Sequence, residues 1–93
     1  MNIGLYRVHF HIHDAGSLKE KRRVLKSIKD RLQNQFNVSV AEIGSNELWQ
    51  IGELAIVTVA NEHAFVDSVL QKVDDFFESV PPISVIEGQM EIF

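Results

Sequence analysis

The sequence predicts a ferredoxin-like α+β domain, a two-layer α/β sandwich of order β-α-β-β-α-β in which a four-stranded antiparallel sheet carries two helices on one face. Three observations predict it. Residues 3–13 alternate in character with a period of two. Two later segments repeat apolar residues at spacings of three and four. Between those segments lie two β-prone runs separated by the turn signal Gly44-Ser45-Asn46.

In the first segment Tyr6, Val8, Phe10 and Ile12 share one face, and Ile3, Leu5, Arg7, His9, His11 and His13 share the other. The aromatic face is expected in the core. After the connection Asp14-Ala15-Gly16, Ser17 and Glu20 stand in capping-box spacing, the serine oxygen taking a backbone N–H of the first turn while the glutamate reaches back. Leu18, Lys21, Leu25, Ile28 and Leu32, widened by Val24, then form a helical stripe that fades near Asn34 to Asn37. Lys21 lies on or beside that stripe, where its stem can pack while its ammonium reaches water.

Residues 36–43 and 48–60 are expected to form an antiparallel hairpin with a bulge or bend at Gly52. The nearly continuous apolar run Leu54 to Ala60 reads as a central strand buried on both faces. Asn61 is placed as the N-cap of a second helix over 62–79, with Phe65, Val69, Val73, Phe76 and Val80 in one stripe, and Pro81-Pro82 stops it. A last strand over 83–93 is interrupted by Gly88. Right-handed crossovers place the first and third strands centrally and leave one sheet face without helices.

Composition narrows the function. With 93 residues and 45% hydrophobic content the chain supports one domain, residues 1–93, around one core. No run of eighteen apolar residues and no charged leader occurs, so the expectation is cytoplasmic residence with neither membrane span nor signal peptide. Zero cysteines remove disulfides, thiolate metal sites and cysteine nucleophiles. The net charge of −4 hides an asymmetry: residues 17–35 carry seven basic against two acidic residues, net +5, while the remainder carries Arg7 and Lys72 against eleven carboxylates, net −9. Such a dipole steers an anionic partner to one face, although a basic helix is also what a solvated surface looks like.

At Ser17-Leu18-Lys19-Glu20-Lys21-Arg22, with Phe36-Asn37-Val38-Ser39-Val40-Ala41-Glu42 and Trp49-Gln50, the sequence resembles the YlxP-like family of small bacterial proteins, a domain of unknown function. The likeness covers nearly the whole chain and keeps the motifs in the family's order. It implies a ferredoxin-like fold and assigns no catalytic residue. Members are often encoded beside translation and ribosome-maturation genes, so the resemblance implies a ribosomal or RNA role. Where the family often has proline soon after its first strand, this chain has His13-Asp14-Ala15, and the loop is expected to start differently.

Catalytic chemistry is weakly signalled. Residues two apart on a strand lie about 6.5–7 Å apart, so His9 with His11, or His11 with His13, can share a metal, whereas His9 and His13 are about 13 Å apart. A stable zinc site wants three or four ligands, and no carboxylate partner is identifiable, so structural or partner-facing histidines are expected and no metal or other cofactor. Ser17 is absorbed as a cap, Ser39 and Thr58 lie within strands, and the five glycines never form a phosphate-cradling loop. Asp74-Asp75 reads as solvated helix surface. No enzyme is expected.

For nucleic acid, Lys19, Arg22, Arg23, Lys26, Lys29 and Arg31 lie mainly off the apolar stripe and can contact phosphates in a salt-sensitive way. The open face of the first strand bears Arg7, His9 and His11 rather than an aromatic pair, which disfavours base reading on the sheet in the manner of RNA-recognition domains. The expected function is therefore an RNA- or ribosome-associated module using the basic first helix. The alternative is a protein-interaction module or homodimer on the open sheet face, with Ile3, Leu5, Leu54 and Ile56 at the interface unless the third strand is misplaced by one residue, which sends Leu54 and Ile56 inward.

Overall fold

The computed structural model describes residues 1–44 and 48–93. Its elements are β1 (Asn2–Ile12), α1 (Leu18–Gln35), β2 (Ser39–Glu42), β3 (Ile51–Ala60), α2 (His63–Glu78) and β4 (Ile83–Ile92). The strands form one antiparallel sheet of order β2-β3-β1-β4, so β1 and β3 are central as the crossover rule requires. Ser45 and Asn46 of the turn signal lie outside the described residues.

β1 alternates as its sequence does. Tyr6, Val8, Phe10 and Ile12 are buried beneath the helices, joined there by Leu25, Ile28 and Leu32 of α1 and by Val66, Leu70, Val73 and Phe77 of α2. The rings of Tyr6 and Phe10 each pack against Phe77, with centroids 5.9 and 5.8 Å away.

Register overturns the reading of β3. Leu54 pairs with Val8 and Ile56 with Tyr6, so both point to the core and both are 0% exposed. They are not interface residues. The same register turns Val57 and Val59 to the open face, where they are 37% and 53% exposed, so the run is not buried on both sides.

Gly52 and Gly88 are close-approach positions rather than breaks. A Cβ on Gly52 would stand 2.6 Å from the Phe10 ring, and β3 passes it in regular register with β1. A Cβ on Gly88 would stand 2.6 Å from the Tyr6 hydroxyl, and β4 runs unbroken through it. The irregularity lies earlier, where His9 pairs with Glu87 but Phe10 with Val85, leaving Ile86 as the extra residue of a bulge.

Ser17 caps α1, its hydroxyl accepting the Glu20 N–H at 3.2 Å, while the Glu20 carboxylate accepts the N–H of Gly16 at 2.8 Å. Asp14 adopts a left-handed φ of 61° in the connection before it. Asn61 does not cap α2: Glu62 holds that position without a side-chain bond, and the Asn61 carbonyl accepts from the Asn2 amide at 2.9 Å. Asp74 is not free surface either, because its carboxylate accepts the Tyr6 hydroxyl at 2.7 Å. Burial first, and that carboxylate second, push the phenol above its ordinary range.

Candidate functional site

Two surfaces carry the residues marked by the sequence. The first is α1. At about 100° per residue, Lys29, Arg22, Lys26, Lys19 and Arg23 fall within an arc of about 120° that starts beside the buried stripe of Lys21, Leu25, Ile28 and Leu32 and turns away from it. All five are exposed except Lys29, which is half-buried. Lys26 pairs with Asp30 one turn on at 2.8 Å, and that hydrogen bond holds its ammonium charged above the usual range. The pair is exposed and easily exchanged for another anion. Arg31 departs from the group. Its guanidinium lies 4.9 Å from the centroid of the Phe76 ring of α2, a cation–π contact on the far flank of the helix.

Lys21 behaves unlike the other cations. It is 2% exposed, so its ammonium does not reach water beside the stripe but donates to the Leu48 carbonyl at 2.7 Å. That bond ties the early turns of α1 to the segment entering β3.

The second surface is the helix-free sheet face. Its middle is polar: Arg7, His9, Glu53, Glu87 and Gln89 border an open concavity of about 240 Å³. Pairing sets Glu53 and Glu87 on either side of His9, and Arg7 reaches Glu53 at 3.4 Å. These carboxylate neighbours are invisible in the sequence because they come from two other strands. Among the described residues, no group of three or more histidines and carboxylates converges as metal ligands would. His11 and His13 instead pack edge to face with centroids 5.0 Å apart, and His13 Nε2 shares a hydrogen bond of 2.6 Å with Ser84 Oγ.

The two ends of this face are more apolar, although Glu91 of β4 pairs with Leu5 at the first. At one, Ile3 and Leu5 pair with Val59 and Val57, and Phe93 pairs with Ile3 through two backbone bonds. At the other, Trp49 and Leu48, 49% and 54% exposed, join His11, Gln50 and Ile51 around a second concavity of about 350 Å³.

Residues 3–90 match the family described as protein of unknown function DUF503. The chain belongs to the DUF503 family. Its DUF503 relatives include the uncharacterized protein YlxP of Bacillus subtilis (strain 168), 46% identical over 81 residues that make up 87% of this chain and 88% of the relative. Among solved structures the chain is similar to the de novo designed protein Foldit4, with a TM-score of 0.53 and 9% identity over 100% of this chain and 97% of that one. It is also similar to a mutant of SnoaB, a cofactor-independent oxygenase from Streptomyces nogalater, with a TM-score of 0.52 and 12% identity over 99% of this chain and 90% of that one. At these identities the likeness is one of fold, and the chemistry of this DUF503 member is argued from its own surfaces. None of the described helices is long and apolar enough to cross a membrane.

Proposed function

We propose that the protein is a non-catalytic binding module that associates with RNA, free or within the ribosome, through phosphate contacts made by the outward face of α1. The observation that carries this reading is the crowding of Lys19, Arg22, Arg23, Lys26 and Lys29 onto about a third of one helix surface in a chain of net charge −4. Carboxylates elsewhere repel a polyanion, so the charge distribution favours approach to the helix. Arg31 is left out of the contact set, since Phe76 holds it on the other flank. Replacing Arg22, Arg23, Lys26 and Lys29 by glutamate should abolish co-sedimentation with RNA or ribosomes at low salt while leaving the oligomeric state unchanged. A wild-type protein showing no salt-dependent RNA binding removes the reading.

The apolar end of the open face supports a second reading, self-association. Ile3, Leu5, Val57, Val59 and Phe93 form a patch that a two-fold-related copy covers with the same residues. Leu5→Glu with Val57→Glu should then convert a dimer to a folded monomer by light scattering. A monomeric wild type excludes it.

A further inference from the structure

Trp49 is the chain's single tryptophan and stands 49% exposed. Its backbone is nonetheless fixed on both sides. The preceding carbonyl, of Leu48, accepts Lys21 Nζ at 2.7 Å, and the following one, of Gln50, accepts the Ile12 N–H at 2.7 Å. An indole carried on a backbone tied at both flanks and left half uncovered offers a face for stacking. Around it the concavity of about 350 Å³ combines the aliphatic side chains of Leu48 and Ile51 with the imidazole of His11 and the amide of Gln50. His13 packs behind His11, and Ser84 fixes His13. A flat apolar surface bordered by hydrogen-bonding groups suits a planar heteroaromatic ring with polar edges.

We infer that this concavity takes an unpaired nucleobase, stacked on Trp49 with its edge toward His11 and Gln50, from a single RNA strand whose phosphates run along α1. The inference rests on the proposed phosphate-binding role of α1. Topology joins the two parts: β1 ends at Ile12, α1 begins at Leu18, and Lys21 reaches from α1 to Leu48, so the basic helix starts at the Trp49 end of the sheet. Every base presents a π-face, so the contact tolerates any sequence. Bases stacked within a duplex are inaccessible, so the pocket selects single strands, loops and ends. The site lies at the Trp49 end of the open sheet face and takes in His11 of the first strand, but its aromatic ring comes from the segment entering β3, which the lack of an aromatic pair on the first strand does not concern.

The test uses labelled single-stranded oligoribonucleotides, an abasic strand of equal length, a blunt duplex and a nucleoside monophosphate, at low salt. Expected are quenching of Trp49 emission by the intact strand, weaker binding of the abasic strand and duplex, and affinity for the mononucleotide far below that for the strand. Trp49→Ala should weaken strand binding about 5- to 100-fold, and Trp49→Phe should restore most of it, with unfolding midpoints showing that both variants fold. If intact and abasic strands bind alike and Trp49→Ala changes nothing, the nucleobase pocket is overturned while the phosphate reading of α1 stands. If the mononucleotide binds as tightly as the strand, a strand crossing both surfaces is overturned. If no strand binds, the role of α1 and the pocket fall together.

Discussion

Lys21 Nζ donates to the Leu48 carbonyl at 2.7 Å from within the apolar stripe of α1. A cation buried at that position exchanges hydration for contacts that fix the chain entering β3, and its methylene stem still fills the stripe. Lys21→Met keeps the stem and removes the donor. It should cost about 1–3 kcal/mol in urea unfolding and raise the mobility of Trp49, read as lower steady-state indole anisotropy. Unchanged values in both would make the contact incidental.

Tyr6 and Asp74 supply a second, part-buried tether, between β1 and α2. Tyr6→Phe removes a hydrogen bond to a charged acceptor and should destabilise by about 1.5–3 kcal/mol at neutral pH. Because the folded phenol ionises above its ordinary range, the unfolded chain loses its proton first as pH rises. The stabilising contribution is therefore complete below about pH 10 and declines above it. The gap between wild type and Tyr6→Phe should narrow in urea titrations carried past that pH.

The two sides of β3 should respond unequally to substitution. Leu54→Ala opens a cavity in a fully buried site and should cost about 2–5 kcal/mol. Val59→Thr, on the half-uncovered face, should stay within about 0.5 kcal/mol. Equal losses would mean that the register is wrong.

Phosphate contacts announce themselves in salt dependence. Arg22→Gln should lower the slope of log affinity against log salt by about 1 and weaken RNA of every sequence alike. Arg31→Gln should leave the slope unchanged, since its guanidinium faces Phe76.

β1 was legible in the sequence because alternation and burial agree along it: one side is fully covered and the other carries charge and imidazole. β3 was not, because Leu54, Ile56, Val57 and Val59 are apolar at both parities and only pairing with β1 decides which pair faces the helices. Gly52 and Gly88 resemble breaks for a related reason, since the aromatic groups that require their bareness lie on β1. The basic helix was visible as composition, but the departure of Arg31 depends on Phe76, forty-five positions away. The anchoring of Trp49 was equally hidden, because the pattern sets the Lys21 stem on or beside the stripe but says nothing of the Leu48 carbonyl, twenty-seven positions on, that its ammonium meets.

The order β2-β3-β1-β4 also has a kinetic consequence. Both partners of β1 lie far downstream: Gly4 meets Thr58 on one side and Ile92 on the other. During synthesis β1 remains without a neighbour while α1 can already form from local contacts, gains its first ladder only when residues 51–60 have emerged, and waits for residues 83–92 for its second. Over that interval the side chains of Tyr6, Val8, Phe10 and Ile12 are available to chaperones or to another nascent chain. Slowing translation before β4 should lengthen this exposure.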